Sequence, residues 1–341
     1  MSPELEELAE SVFAEAGSSG AGFDAGLWKT LESTGLARLT LPADAGGSAG
    51  TFSDAAVVLA AAGAHAARVP LAETDLLAGW LLHTAGIAVP AGPLTAVAAG
   101  LKIERGDGGW RVSGTLHRVP WARAAAGIVV LTPEHVVAVR PGMGTVTDGV
   151  NVAEEPRDAV AVSGTIADGE VAPVPAGAAA ELRLRAALGR AQLLAGAARG
   201  ALAAAVGYAG ERVQFGRPIG RFQAVQQQLA LAAAEVAAAA AAAEAAAGVA
   251  TADGVLAAST RLAIAAAKAR TGEAAGVVAR IAHQVHGAIG FTREHDLRLV
   301  TTRLWAWRDE DGSDAEWNAE VGATVLAAGP DGLWPLVTGT P

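Results

Sequence analysis

Along the first part of the chain the apolar positions fall at helix spacing. Leu5, Leu8, Val12 and Phe13 recur every three or four residues, the signature of one buried helical stripe. Leu27, Trp28 and Leu31 form a second such group. A short apolar run, Gly35-Leu-Ala-Arg-Leu-Thr-Leu41, ends at Pro42 and the glycine turn Gly46-Gly47. Ser53 and Asp54 are placed to cap a helix over Ala55 to Ala62, because short polar side chains accept the free N–H groups of a first turn. Val69-Pro70 opens a further helix that runs through Trp80 to Leu82.

The pattern changes at Ala88-Val-Pro-Ala-Gly-Pro93. Beyond it, short β-branched runs alternate with turns: Trp110-Arg-Val-Ser, Leu116-His-Arg-Val, Ile128-Val-Val-Leu131 and His135-Val-Val-Ala-Val139. Period-two alternation and brief apolar runs bounded by Pro and Gly read as strands, and Asp107-Gly108-Gly109 as a hairpin turn. Strands at this spacing predict a small antiparallel barrel or sandwich. From Ala179 the chain is helical again, with long alanine-rich segments over Leu182 to Tyr208, Phe222 to Gly248 and Val255 to His286, then Asp296 to Trp307. Long helices with short connections make a bundle. The expected domains are therefore 1–87, helical; 88–178, β; and 179–341, a helical bundle.

The formal net charge of -10 over 341 residues gives no general basic face for nucleic acid. The chain has no cysteine, which removes disulfides, thiolate metal sites and thiol nucleophiles. The start, Met1-Ser-Pro-Glu-Leu-Glu-Glu-Leu8, lacks the basic and apolar regions of a secretion signal. The alanine run from Leu229 to Ala247 is long enough to span a membrane, but Glu235 and Glu244 interrupt it and alanine is above all a helix former. A cytoplasmic protein with no membrane span is the expectation.

Two stretches break the helical pattern with chemistry. In Glu211-Arg-Val-Gln-Phe-Gly-Arg-Pro-Ile-Gly-Arg-Phe-Gln-Ala-Val-Gln226, Gly216, Pro218 and Gly220 turn the chain, and Arg212, Arg217 and Arg221 offer forks for phosphate oxygens beside Phe215 and Phe222. A solvated basic turn between helices is the plain alternative. The second stretch runs from Gln284-Val-His-Gly-Ala-Ile-Gly-Phe-Thr292 to His295. His117 and His135 lie in strand-like runs, where a lone histidine is usually structural.

These two motifs, with the amino-terminal Leu27-Trp28, Gly35-Leu36, Leu41-Pro42 and Gly46-Gly47, resemble the acyl-CoA dehydrogenase family. The resemblance implies that family's fold: an α+β chain with an N-terminal helical domain, a middle small β-barrel or sandwich, and a C-terminal four-helix bundle. It implies FAD as cofactor, α,β-dehydrogenation of an acyl-CoA thioester in fatty acid or steroid side-chain catabolism, and electron-transfer flavoprotein as acceptor. It places Arg212 on the FAD diphosphate. Gln214, Phe215 and Ile219 then lie along the turn, with Phe222 and Val225 nearby, and Gln284, His286, Gly287 and Ala288 on the adenine side.

The chain departs from the family pattern in two places. Where the family holds the flavin ring with Thr-Glu-Pro, Gly-Ser-Asp and Trp-Ile-Thr or Trp-Ile-Ser runs, only Thr95 and Trp121 remain. The base that removes the α proton, a glutamate in the family, falls on Leu184-Arg-Ala-Ala-Leu188 in one family arrangement, with Glu181 a turn away. In the other arrangement it falls on Asp311, beside Glu310 and before Gly312. Asp309-Glu310-Asp311 also reads as a solvated acidic turn. These departures resemble the glutamate-lacking subunit of the actinobacterial heteromeric type, in which two different subunits share each full FAD site. The expected function is thus a subunit that completes the FAD site of a second acyl-CoA dehydrogenase subunit. The alternatives are a self-sufficient homo-oligomer using Asp311 or Glu310 as base, and a non-catalytic homologue that acts as a structural or binding protein.

Overall fold

In the computed structural model, residues 3–16, 22–293 and 295–338 are described; Glu294, within the second motif, lies outside them. The chain forms two compact units. One contains Pro3–Ala16, Ala56–Ala67 and the chain from Ala187 onward; the other contains 22–55 and Arg68–Ala186.

In the second unit, helix α2 (Ala25–Ser33) starts at Asp24, whose carboxylate accepts from the Leu27 N–H at 2.9 Å. Helix α3 (Phe52–Ala64), which starts in this unit and continues into the first, begins one residue before the expected Ser53–Asp54 cap. Its cap is Thr51: Asp54 accepts from the Thr51 N–H (2.8 Å) and hydroxyl (2.7 Å), and Thr51 Oγ1 accepts from the Asp54 N–H. This reciprocal box satisfies end groups that a single cap leaves free. The expected helix after Val69-Pro70 widens into a π-helix at Glu73–Gly79 before the short α4 (Trp80–Thr84). The π segment is buried throughout, including Glu73, Thr74 and Asp75. Thr74 fastens it to the first strand: its hydroxyl donates to Leu94 O (3.1 Å) and accepts from Leu94 N (2.9 Å).

Eight strands follow: β1 (Leu94–Ala98), β2 (Lys102–Gly106), β3 (Gly109–Pro120), β4 (Gly127–Leu131), β5 (His135–Val139), β6 (Gly144–Thr147), β7 (Arg157–Ile166) and β8 (Val171–Pro173). They make two four-stranded sheets, β1-β4-β5-β8 and β2-β3-β7-β6. Inward residues of both, such as Leu116, Val130, Val137 and Val160, form one core, as alternation along half-buried strands dictates. The expected β2–β3 hairpin turns at Gly108, where φ is +85°. One expectation fails: β1 pairs with β4 in parallel. The intervening β2–β3 hairpin belongs to the other sheet, so the chain returns to β1 by a crossover and arrives in the same direction. A register shift between Leu116 and Val119, with Arg118 at φ +54°, bends β3.

Helix α5 (Ala178–Glu211) starts in this unit and continues into the first. There it is joined by α1 (Pro3–Ala16), α6 (Gln223–Asp253), α7 (Ala258–His286), α8 (Leu297–Asp309) and α9 (Asp314–Thr338), the last kinked at Gly329. α7 packs against α6, α8 and α9, and its buried face is largely alanine. Small side chains bring backbones close. A Cβ at Gly63, Gly196 or Gly200 would collide with the carbonyl of Leu193, Ala60 or Ala64 respectively. Gln192 of α5 donates to Ala243 O of α6 at 2.7 Å. Two described helices, α5 and α6, are long and apolar enough to cross a membrane.

Candidate functional site

The first motif begins where α5 ends. Arg212 N donates to Tyr208 O (2.9 Å), and Ile219 N closes the excursion by donating to Arg212 O (2.8 Å). Between them Val213–Gln214 pairs with Arg217–Pro218 in a two-residue hairpin. Its tip, Phe215 and Gly216, has φ of +52° and +78°, the doubly left-handed turn that favours glycine and costs a bulky residue energy. Phe215 is nonetheless held there with 93% of its surface in solvent. Its ring meets Phe222 edge-on at 6.0 Å, and the Arg217 guanidinium lies 4.3 Å from the Phe222 ring. Arg212 and Gln214 are exposed; Ile219, Phe222 and Val225 are half-buried.

The second motif is the end of α7 and a 3-10 turn, Gly287–Phe291. Gly287 breaks the helix at φ +64°, ψ -145°, with open space where a Cβ would be. Gln284, Gly287 and Ala288 are exposed. His286 is not: it is buried, and its Nδ1 donates to Ala282 O at 2.7 Å. Its ring stacks on Tyr208 at 4.5 Å, and His295 approaches it edge-on at 4.7 Å. This contact, which periodicity does not reveal, brings the two motifs to one end of the helical unit, because Tyr208 stands one turn before Arg212. His286 thus packs against the end of α5, and the open surface comes from Arg212, Gln214, Phe215, Gln284, Gly287 and Ala288. Next to it, His283 Nε2 bonds to Thr301 Oγ1 at 2.9 Å, and that hydroxyl donates onward to Leu297 O. So His283 carries its proton on Nε2, and Nδ1 has no partner. Burial lowers the pKa of both His283 and His286, which keeps them neutral.

The acidic turn after α8 is tightly held. Arg190, buried on α5, donates from Nε to Asp311 Oδ2 at 2.8 Å, and its Nη2 lies 3.5 Å from Glu310 Oε2. Trp317 Nε1 donates to Asp311 O at 2.9 Å. Lys268, fully buried on α7, donates to Gly312 O at 2.6 Å and Arg308 O at 3.0 Å. Burial lowers its pKa to about 8, against the pull of the Asp311 carboxylate. Asp311 sits at φ +58°, a strained conformation for a non-glycine residue. Gly312, at φ +92°, has no room for a Cβ against Trp317. The acidic turn is thus neither a loosely solvated run nor a pair of free carboxylates. Arg190, Lys268 and Trp317 were not singled out in the sequence.

In the β-bearing unit, Thr95 and Trp121 are 0% and 3% exposed. Atoms that cradle a ligand line an open surface when the ligand is removed, and these two do not. Thr95 Oγ1 is also without a hydrogen-bond partner. Trp121 stands at φ +55°, buried at the start of the 3-10 turn Ala122–Ala124. Glu181 is taken by Arg185, whose Nε donates to it at 2.8 Å.

Residues 182–315 match the acyl-CoA dehydrogenase C-terminal domain. The chain is 31% identical over 326 residues to acyl-CoA dehydrogenase IpdE2 of Mycolicibacterium smegmatis, covering 89% of this chain and 93% of that protein. It is 32% identical over 298 residues to IpdE2 of Mycobacterium tuberculosis, covering 84% and 82%. Among solved structures, the ChsE4-ChsE5 complex from Mycobacterium tuberculosis shares the fold at TM-score 0.83 and 22% identity, covering 96% of this chain and 97% of that one. The Tcur3481-Tcur3483 steroid ACAD G363A variant matches at TM-score 0.81 and 25% identity, covering 95% and 97%. With its fold, both motifs and a relative at this identity along most of its length, the chain belongs to the acyl-CoA dehydrogenase family.

Proposed function

We propose that this chain is the non-basic subunit of a heteromeric, FAD-dependent acyl-CoA dehydrogenase, and that it completes the flavin site of a catalytic partner. The observation that carries this reading is a contrast in exposure. The arm residues Arg212, Gln214, Phe215, Gln284 and Gly287 stand open, whereas Thr95 and Trp121, the remnants of a flavin cradle, are closed off. The open set fits the diphosphate and adenosine end of FAD. A guanidinium fork matches phosphate oxygens, Phe215 offers an apolar face, and Gly287 leaves space for a close approach. The closed set does not fit the ring end. The open arm therefore serves a flavin whose ring another chain holds.

Bound there, FAD supplies the hydride acceptor for α,β-dehydrogenation of an acyl-CoA thioester. Arg212 neutralises the diphosphate, and Gln284, with the Gly287–Ala288 backbone, lines the adenine side. The α-proton base comes from the partner. A base must be free to approach its proton, and the candidate carboxylates Asp311 and Glu310 are engaged by Arg190. Relatives and neighbours named as a steroid ACAD and as a two-chain complex support a role in steroid or fatty acid side-chain catabolism, with electron-transfer flavoprotein as acceptor. The long apolar helices are rich in alanine rather than leucine or isoleucine, in keeping with a cytoplasmic enzyme. Expressed alone, the chain should bind little FAD; co-expressed with an acyl-CoA dehydrogenase subunit encoded beside it, it should yield a yellow, active assembly. A yellow, active single chain would overturn the proposal.

A further inference from the structure

A cavity of about 230 Å³ lies inside the helical unit, between α1, α3, α5 and α6. All of its lining residues belong to that unit. Small residues form its walls, among them Ala60 of α3, Gly196 of α5 and Ala240 of α6. At ~30 Å³ per molecule, it has the volume of roughly seven or eight liquid waters, enough for a compact organic group. Most of its surface is apolar, as in sites that hold small molecules.

Two features set it apart from a packing gap. Gln192 of α5 is buried, at 4% exposure, and its Nε2 donates to Ala243 O at 2.7 Å. That bond fixes the amide's orientation, because only the nitrogen can donate to a carbonyl. Gln192 lines the cavity, and its Oε1 makes no hydrogen bond among the described residues. An unused acceptor on a buried side chain marks a place for a donor. The second feature is charge. Glu6 of α1 and Glu244 of α6 line the cavity without an ion pair or hydrogen bond among the described residues. Glu10 and Arg199 also line it, but they pair with each other, and His65 Nε2 lies 2.7 Å from Glu10 Oε2.

The slot therefore has two unlike ends. Ala243 precedes Glu244, so the bond from Gln192 sets Oε1 at the Glu244 end. Arg199, about two turns further along α5, lines the other end with its partner Glu10. Each unused polar group is an acceptor, and the uncompensated charge is negative. A carboxylate or phosphate would meet repulsion and find no free donor. A hydroxyl would use Gln192 alone. An ammonium would use both Gln192 and the carboxylates.

We propose that this cavity is a binding site for a primary ammonium carried on a compact apolar body. The ammonium donates to Gln192 Oε1 beside Glu244, and the body packs along Ala60, Gly196 and Ala240. The site is separate from the flavin arm: Arg199 stands about 18 Å along α5 from the end of that helix at Glu211.

The test is an NMR titration of the full chain with three probes of one shape: cyclohexylammonium, cyclohexanol and cyclohexanecarboxylate. Cyclohexylammonium should bind about 5- to 30-fold tighter than cyclohexanol, the gain expected from two partly solvated carboxylates, and cyclohexanecarboxylate should bind weakest. Glu6→Gln combined with Glu244→Gln should bring ammonium and alcohol within about twofold of each other. Ala240→Leu keeps a good helix former and fills the slot, so it should abolish binding of both. Gln192→Leu should weaken the ammonium at least threefold; should that variant fail to fold, the Glu6, Glu244 and Ala240 variants still decide. Equal binding of ammonium and alcohol, tightest binding of the carboxylate, binding that survives Ala240→Leu, or binding of no probe at all overturns the proposal. Each of these outcomes leaves the flavin reading untouched.

Discussion

Replacing Arg190 with leucine puts the reading of the acidic turn at risk. The side chain of Arg190 is 6% exposed, and those of Asp311 and Glu310 are 26% and 13% exposed. Without the guanidinium, the Asp311 and Glu310 carboxylates lose the ion pairs it makes beside the Trp307 and Trp317 rings, and the nearby Lys268 ammonium is already bonded to Gly312 O and Arg308 O. Removing one partner of a buried pair costs ~3–5 kcal/mol. The partial exposure of Asp311 moves the expectation to the low end, about 3 kcal/mol. Asp311→Asn keeps the shape and one acceptor, and should cost about 1–2 kcal/mol. Because the two residues share one interaction, the double variant should destabilise by at least 1 kcal/mol less than the sum. Urea denaturation followed by tryptophan fluorescence reads all three, since Trp307 and Trp317 border the turn. Activity of the assembly supplies the other arm. An anchoring Asp311 leaves turnover within about threefold after Asp311→Asn, whereas loss of a general base costs ~100- to 10,000-fold. A stable Asp311→Asn variant with turnover lost on that scale would refute the anchoring role and make Asp311 the base.

Other expectations follow from the same geometry. Gly196→Ala pushes a methyl into the Ala60 carbonyl across the α3–α5 contact, and should destabilise by ~1–3 kcal/mol in thermal melts; a neutral result would mean that the helices separate easily there. Phe215→Ala removes a side chain already 93% in solvent, so stability should change by less than about 0.5 kcal/mol, while FAD retention by the assembly falls; unchanged retention would remove Phe215 from the flavin arm. Burial lowers the pKa of His283 and His286, so the unfolded chain binds the extra protons. Their contribution to stability is therefore complete above the ordinary histidine pKa, ~6.5, and is lost as pH falls below it. Melting temperature should drop from pH 7 to pH 5 more steeply in the wild type than in His283→Gln; parallel curves would contradict the neutral assignment.

The helical elements were legible because their apolar residues repeat at helix spacing and glycine or proline marks their ends. Predicted helices such as Phe222 to Gly248 extend a few residues further in the structure, to Asp253, since alanine continues a helix with no strong stop signal. The β hairpin at Gly108 was legible from local turn chemistry. The parallel β1–β4 pairing was not, because it depends on which sheet the intervening hairpin joins. The two motifs were visible as chemistry, yet their meeting was not: Tyr208 and His286 look like unrelated residues until α5 and α7 end side by side. Likewise the family resemblance makes Asp311 a candidate base. Only the fold shows Arg190 reaching it across the unit, from far earlier in the chain. His286, expected on the cofactor, is buried and turns its Nδ1 into its own helix, whereas Gln284, Gly287 and Ala288 stay exposed.

Flavin stoichiometry tests the central claim most directly. The chain is purified alone and with its co-expressed partner subunit, and FAD per chain is read from absorbance after release. The account predicts almost no FAD on the single chain, full occupancy of the shared site in the assembly, and loss of that occupancy when Arg212→Ala is introduced in this chain. Stoichiometric FAD on the single chain, or an assembly whose FAD content ignores Arg212→Ala, would contradict it.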